Sequence, residues 1–392
     1  MENVGKSRQL AKEINAIREE NIINANIWKA GIMGLVVGDA LGLPVQFCDR
    51  QELKNNPVTQ MEGYGTFNVP AGTWSDDSSL ALATMDVIIQ NHATNENDIN
   101  VKAVMDNFVK WLYEGAFTPF RQAFDIGCTC QQAIAKYKLE GNVDTCGKTG
   151  EYANGNGGLM RIMPVCLFAY EKEMSGEWTE GQAVSVVEKL TAVTHNHKRA
   201  CIASGMYYFM VKAVLEGKAL RGQLEENGRI DVSQGQSRED GLLGTLQGQS
   251  GEDGLVEVSQ GRLQGTGLRD VLQMGVDNAM KYYGVDSGNR EELSHYNRLF
   301  YLDRFANTPE NEIKSSGYVV DSIEAAVWCL ITTSSLKECL LKAVNLGEDT
   351  DSVGAIAGGL AGVYYGYEAI PKEWLDVIVE REWIEGMCDS FF

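Results

Sequence analysis

Positive charge is scarce in this sequence. Its 392 residues include 34 Lys and Arg against 54 Asp and Glu, so the formal net charge at pH 7 is −20. Attraction to nucleic acid or to an anionic membrane depends on positive patches, so neither partner is expected. Clustered acids favour hard divalent cations instead.

Several familiar binding signatures are missing. The nine cysteines include no C-x-x-C pair and there are only four histidines, so a zinc site is not expected. Gly147-Lys148-Thr149 lacks the correctly spaced glycine of a phosphate-binding loop, and residues 155–158 lack the third glycine of a dinucleotide fingerprint. The cysteines are expected to be buried, reduced thiols of a cytoplasmic protein.

Long apolar runs are also absent. The two most apolar stretches, residues 31–47 and 353–367, are each shorter than the ~18 residues that a membrane-spanning helix needs. The first 21 residues are charged and contain no apolar segment typical of a signal peptide. We therefore expect no membrane span and a cytoplasmic location.

Helical periodicity covers most of the chain, whereas strand signals are few. Helices are predicted over residues 75–91, 99–115, 180–193 and 197–216, with two more in residues 320–346. We expect an all-α fold, with one large domain of orthogonally packed helices spanning residues 1–392.

Glycines 31, 34, 38 and 42 form a stripe along one face of another predicted helix. Each glycine inside a helix costs about 1 kcal/mol relative to alanine. The stripe therefore predicts close backbone packing against a second helix or a ligand.

Residues 222–267 differ in composition from the rest of the chain. They are rich in Gly, Gln, Ser and acids, and the segment 235–242 is repeated as 248–255, starting 13 residues later. This composition predicts a flexible or weakly structured low-complexity insertion within the domain.

Two acid-rich segments, Ser75–Asp77 and Asp349–Ser352, each precede an apolar helix. One acid pair at a helix N-terminus usually does no more than interact with the helix dipole. Four acids buried together would repel one another, and a hard cation would remove that repulsion. Oxygen ligands without His or Cys favour Mg²⁺ or Mn²⁺, and four carboxylates suit two metal ions about 3.5–4 Å apart.

Five segments together resemble the ADP-ribosylglycohydrolase family, the fold of dinitrogenase-reductase-activating glycohydrolase. They are GLVVGDALGLP at 34–44, GTWSDDS at 72–78, NGNGGLMRIMP at 154–164, TH at 194–195 and NLGEDTDS at 345–352. The resemblance implies an all-α fold with two Mg²⁺ or Mn²⁺ ions in a central cleft. It also implies hydrolysis of the N- or O-glycosidic bond that joins ADP-ribose to a protein side chain or a small molecule.

The resemblance further implies roles for single residues. The implied metal ligands are Ser75, Asp76, Asp77, Asp349, Asp351 and Ser352, and Asp76, Asp77 and Asp351 are also implied as catalytic. The implied substrate-binding residues are Asn156, Gly157, Gly158 and His195, although His195 also suits a buried structural position. Backbone N–H groups of residues 155–158 could bind the diphosphate without a basic patch.

Gln46 departs from the family pattern. Many members carry Glu seven residues after the aspartate that matches Asp39. Gln can offer an oxygen to a metal or a substrate but cannot act as a base at neutral pH, so Gln46 is grouped with the substrate-binding residues. Asp77 or a metal ion then remain to activate water. Two alternatives stay open: a non-catalytic relative that binds ADP-ribose, and a hydrolase of free ADP-ribose conjugates.

Overall fold

The computed structural model describes residues 24–94, 98–226 and 267–390. These residues form α-helices joined by short turns, and they contain two isolated β-bridges but no β-strand. The all-α prediction is confirmed. The helices are α1 (residues 24–42), α2 (Arg50–Asn55), α3 (Asp76–Thr94), α4 (Val101–Glu114), α5 (Cys128–Glu140), α6 (Val143–Cys146), α7 (Met163–Met174), α8 (Glu180–Ala192), α9 (Lys198–Glu226), α10 (Leu268–Gly284), α11 (Arg290–Leu293), α12 (Leu302–Phe305), α13 (Val319–Ile331), α14 (Leu336–Val344), α15 (Thr350–Tyr365), α16 (Lys372–Leu375) and α17 (Arg381–Asp389).

The predicted helices are present, with small shifts at their ends. The predicted helix 99–115 corresponds to α4, and 180–193 corresponds to α8. The region 320–346 splits into α13 and α14 around residues 332–335, as predicted. Helix α9 is longer than the predicted 197–216, and it packs along α10.

One apolar core runs through the described residues, from Trp28 in α1 to Cys388 in α17. Helix α9 packs against α8 and α10, and α15 packs against α13 and α14 as well as α9. All nine cysteines are described and all are free thiols, most of them buried. The predicted buried thiols are therefore present.

Helices α1 and α15 contact each other through their backbones. A Cβ on Gly38 would lie 2.0 Å from the carbonyl oxygen of Gly354, and one on Gly34 would lie 2.2 Å from that of Gly358. The relation is reciprocal, because a Cβ on Gly358 would lie 2.1 Å from the oxygen of Gly34. The prediction that the glycine stripe packs against another helix is confirmed. This contact brings Asp39 and Asp351, which are far apart in sequence, into one region.

The segment Asn24–Val45 is long and apolar enough to cross a membrane, by length and composition alone, and 89% of an apolar 18-residue stretch within it is buried inside the protein. The apolar helix is thus longer than the run of residues 31–47 considered in the sequence. Its burial is explained by the pairing of α1 with α15, which makes it a helix of the core.

The predicted insertion lies mostly outside the described residues. Residues 222–226 continue α9, and Gly267 precedes α10 with its N–H donated to Asp270 (3.0 Å). Residues 227–266 lie outside the described residues, so the predicted weak structure of that stretch stays a prediction.

Candidate active site

A cleft of about 580 Å³ opens beside the starts of α3 and α15. Predicted site residues from three segments line it, namely Gln46, Asp76, Asp77, Asn156 and Gly157. His195, Asp349 and Ser352 also line it. Ser75, Gly158 and Asp351 are buried next to lining residues but are not part of the wall. The structure therefore brings both acid-rich segments and the loop of residues 155–158, called the glycine-containing loop below, to one place.

The first acid-rich segment is held by Asp39 of α1. Its carboxylate accepts hydrogen bonds from the backbone N–H groups of Ser75 and Ser78 (3.0 Å each) and from the Ser78 hydroxyl (2.5 Å). These N–H groups lie at the N-terminus of α3, where a helix has donors without partners, so Asp39 caps α3 from another helix. Burial raises the pKa of Asp39 to about 6, while the bonds from Ser78 and Ser75 lower it. Asp39 therefore supports the Ser75–Asp77 segment from α1.

The chain enters α3 through a turn that only glycine can make. Gly72 has a φ of 78°, and a Cβ there would lie 1.9 Å from the carbonyl oxygen of Val377. Two residues later, the buried Trp74 donates its Nε1–H to the carbonyl of Val379 (2.8 Å). The C-terminal part of the chain thus fixes the direction in which the acid-rich segment leaves the turn.

The second acid-rich segment follows two residues with left-handed backbone. Gly347 has a φ of 81° and Glu348 a φ of 62°, and the chain then enters α15. Arg50 donates to the carbonyl of Leu346, just before this turn (2.7 Å), and to the carbonyl of Ile313 in a separate segment (2.6 Å). The Asp349 carboxylate accepts a hydrogen bond from Asn156 Nδ2 at 2.8 Å. This bond ties the second acid-rich segment to the glycine-containing loop.

The acids of the two segments oppose one another's ionisation. Burial is the largest cause that raises the pKa of Asp76, Asp77 and Asp351 well above the ordinary range, and the charges of neighbouring acids raise it further. The N-terminal ends of α3 and α15 offset part of this negative charge. Arg161 offsets another part, because its buried guanidinium interacts with the charges of Asp76 and Asp77.

Asp125 belongs to the same cluster, and sequence reasoning missed it. It lines the cleft with a left-handed φ of 52°. Burial raises its pKa, whereas the neighbouring polar groups of Asp351 and Gln46 lower it. The only sequence signal is a single acid between Phe124 and Ile126, a pattern too common to indicate a site.

Four buried oxygens of this cluster accept no hydrogen bond by distance and angle. They are Gln46 Oε1, Asp77 Oδ1, Asp125 Oδ2 and Asp351 Oδ2. The described residues contain no ready-formed group of three Asp, Glu, His or Cys side chains around a metal position. Without a cation, neighbouring carboxyl groups repel one another or share protons. We therefore expect them to take up a metal-coordinating arrangement only when a cation binds. An all-oxygen set of buried, unpartnered acceptors fits a hard divalent cation.

The glycine-containing loop is packed too tightly for side chains at two positions. A Cβ on Gly157 would lie 2.8 Å from Cε1 of His195, and one on Gly158 would lie 2.7 Å from Cγ2 of Thr191. Gly158 therefore packs against α8 and lies outside the cleft wall. The N–H of Asn156 already donates to the carbonyl of Gly317 (3.0 Å), so this amide is not free for a diphosphate.

His195 is held as a neutral ring beside this loop. Burial is the main cause that lowers its pKa to about 3, and the charge of Arg161 lowers it further. Arg161 donates to the Thr194 hydroxyl (2.9 Å) and to the carbonyl of Gly157. The Thr194 hydroxyl lies 2.9 Å from His195 Nδ1 and is free to donate to it, which favours the tautomer with hydrogen on Nε2. His195 then offers a donor beside the loop.

Comparison with known proteins agrees with this geometry. The model of the ADP-ribosylglycohydrolase family matches residues 25–392. The ADP-ribosylarginine hydrolase Tri1 of Serratia proteamaculans is 26% identical over 364 residues, which cover 93% of this chain and 78% of that protein. The ADP-ribosyl-[dinitrogen reductase] glycohydrolase of Rhodospirillum rubrum is 26% identical over 359 residues, which cover 89% of this chain and 90% of that protein. A chain in the solved structure of an ADP-ribosylglycohydrolase-related protein complex is 24% identical to this chain. The match covers 94% of this chain and 97% of that chain with a TM-score of 0.64, which supports the fold.

Proposed function

We propose, on the premise that this chain belongs to the ADP-ribosylglycohydrolase family and hydrolyses ADP-ribose linkages, that its hydrolysis depends on two divalent metal ions. The proposed ions are Mg²⁺ or Mn²⁺, and the proposed bond joins ADP-ribose to a protein side chain. Similar proteins are named for ADP-ribosylarginine and for ADP-ribosylated dinitrogen reductase, which favours a protein acceptor.

One observation carries the metal dependence. Unpartnered, buried acceptors from four separate segments lie at or beside one cleft. A buried acceptor without a partner costs free energy, and several like-charged ones cost more. A cation bound by Asp77, Asp125 and Asp351 would remove both costs. Ser75, Asp76, Asp349 and Ser352 complete the proposed ligand set, and Gln46 contributes a neutral oxygen.

The chain's own side chains set the geometry around the reacting bond. Asp39 orients the Ser75–Asp77 segment by capping α3. Asn156 orients Asp349 through its side-chain amide and is itself held at Ser322 Oγ (3.0 Å). These contacts hold the carboxylates without using the four unpartnered oxygens of Gln46, Asp77, Asp125 and Asp351. The loop and the acids therefore keep a fixed relation before substrate binds.

Cleavage at the anomeric carbon of ribose passes through a state with positive charge on the sugar ring. Carboxylates on the cleft wall stabilise that charge. Neutral His195 contributes hydrogen bonding through Nε2 rather than charge. When bound, the metal ions would supply Lewis acidity that orients ribose oxygens and activates water.

The test is a hydrolysis assay with an arginine-linked ADP-ribosyl peptide in Mg²⁺, in Mn²⁺ and in EDTA. Wild type should turn over with either metal and stop in EDTA. Asp77→Asn and Asp351→Asn should each reduce turnover by about a hundredfold or more, because the metal supplies several kcal/mol of stabilisation. Calorimetric titration with Mg²⁺ should show fewer bound ions in both variants.

Asp303→Asn is a matched control, since Asp303 is an exposed aspartate that pairs with Arg269 outside the cleft lining. It should retain turnover and metal stoichiometry. All variants should keep the helical circular dichroism of wild type. Full activity in EDTA, or unchanged metal stoichiometry in both cluster variants, would contradict the proposal.

A further inference from the structure

Two residues with left-handed backbone, Phe47 and Glu348, are joined by a backbone hydrogen bond at the cleft, and both are exposed. We infer that Phe47 and Glu348 together bind the guanidinium group of an arginine acceptor, an inference that rests on the proposed hydrolysis of ADP-ribose linkages. They would thereby select arginine-linked ADP-ribose over conjugates with neutral acceptors.

Phe47 is unusual in backbone conformation and in exposure. Its φ is 68°, a left-handed conformation that is a genuine outlier for a bulky side chain. The side chain lines the cleft and is 69% exposed, so burial of its own apolar surface does not explain the strain. Backbone strain of this kind concentrates at ligand-binding positions.

Glu348 is held directly opposite by the backbone. The N–H of Phe47 donates to the carbonyl of Glu348 (2.7 Å), and the N–H of Glu348 donates to the carbonyl of Cys48 (2.8 Å). Glu348 is itself left-handed, with a φ of 62°, and it also lines the cleft. Its carboxylate makes no hydrogen bond or ion pair among the described residues. The backbone thus holds a residue with an aromatic ring and a residue with an unpaired carboxylate next to each other on one part of the wall.

The charge of the cleft favours a cationic acceptor. Its wall includes Asp76, Asp77, Asp125, Glu348 and Asp349 but no Lys or Arg. Metal ions at the proposed ligands would neutralise the buried acids, while Glu348 is exposed and lies outside that ligand set. Its negative charge therefore remains available to the substrate.

A guanidinium group matches both partners. It is planar, so it can stack on the ring of Phe47, and it carries N–H donors for the carboxylate of Glu348. A serine-linked or ester-linked acceptor is neutral and gains neither interaction. The pair is therefore expected to contribute to acceptor selectivity and to leave the chemistry at ribose unchanged.

The first experiment measures hydrolysis of arginine-linked and serine-linked ADP-ribosyl peptides. Phe47→Leu keeps an apolar side chain without the ring, and Glu348→Gln keeps the shape without the charge. Each variant should lower kcat/KM for the arginine-linked peptide by about 3- to 30-fold, the range of a cation–π contact, mainly through a higher KM. The serine-linked peptide should change by less than about twofold if it is turned over, and Phe47→Tyr should resemble wild type.

The chain offers matched controls for both positions. Tyr64 is also 69% exposed and left-handed (φ 64°), and Glu380 is a left-handed, exposed glutamate (φ 58°), but neither lines this cleft. Tyr64→Leu and Glu380→Gln should leave KM for the arginine-linked peptide unchanged. Equal losses in the controls would overturn the inference, as would equal losses on both peptides.

A second experiment does not require turnover. Free arginine and its neutral isostere citrulline are titrated by NMR into the Mg²⁺-loaded protein with ADP-ribose present. Wild type should bind arginine more tightly, and Phe47→Leu and Glu348→Gln should each lose that preference. Equal binding of both ligands by wild type would overturn the inference. If wild type hydrolyses no conjugate, the proposed function fails while this titration still decides the role of the pair.

Discussion

Replacing Gly38 by alanine tests whether the contact between α1 and α15 holds the site together. The added Cβ would lie 2.0 Å from the carbonyl oxygen of Gly354, whereas ordinary contact begins at 3.4 Å. The helices must therefore separate by about 1.4 Å at this point. The obstacle is backbone, so no side chain can rotate away.

The cost of Gly38→Ala can be estimated from two opposing effects. Alanine in a helix interior is favoured over glycine by about 1 kcal/mol. Overpacking in a dense interior costs roughly 3 kcal/mol when the neighbour cannot yield. The net expectation is a loss of about 2 kcal/mol in the free energy of unfolding. Because Asp39 follows directly, the capping of α3 and metal binding should weaken too.

Urea unfolding followed by far-UV circular dichroism measures this loss. Gly386→Ala is the matched control, because Gly386 lies inside α17 with nothing within 4 Å of the position of a Cβ. There alanine should stabilise the protein by about 0.5–1 kcal/mol. Equal stability of Gly38→Ala and wild type, or a similar loss in Gly386→Ala, would refute the proposed role of the glycine contact.

Two other predictions concern buried polar groups. Burial raises the pKa of Glu171 from 4.5 to about 7, so the folded state binds more protons in that window and stability falls as pH rises through it. Glu171→Gln can still accept the hydrogen bond from Trp28. Urea unfolding should show this variant to be more stable than wild type by up to roughly 3 kcal/mol at pH 8 and similar to wild type at pH 4.5. An equal difference in stability at both pH values would contradict this cause. Gln46→Glu adds an acid beside Asp125, so it should lower the melting temperature without metal and tighten Mg²⁺ binding by roughly tenfold in calorimetry. Unchanged affinity would place position 46 outside the ligand set.

The features that were predicted well from the sequence are those that depend on residues close together in the chain. Helix periodicity identified α4, α8 and α14 because each buries one face. Helix α13 was also identified, although nearly all of its residues are buried. The acid-rich segments stood out because their acids are adjacent, and the glycine stripe because it repeats at helical spacing. The family resemblance added the order of the segments, and the family model that matches residues 25–392 confirmed the family.

The features that were missed depend on tertiary contacts. Asp125 carries no neighbouring acid, and its membership in the cluster follows only from where its loop returns to the cleft. The capping of α3 by Asp39 joins two helices and leaves no local pattern. The position of Gly158 against Thr191 likewise depends on α8. The cytoplasmic location and the absence of nucleic-acid and membrane partners stay predictions.

The pairing of α1 with α15 also affects how the chain tolerates changes in length. Thr350 Oγ1 donates to the carbonyl of Gly42 (2.8 Å), which closes a loop of 308 residues. The entropy of closing a flexible loop grows only with the logarithm of its length, so adding or deleting one 13-residue repeat changes the closure free energy by less than about 0.1 kcal/mol. The repeat region lies within this loop, away from both helices in sequence. On the prediction that the repeat region is flexible, we expect the gain or loss of a whole repeat to leave assembly of the active site almost unaffected, and length variation among relatives to concentrate in that stretch.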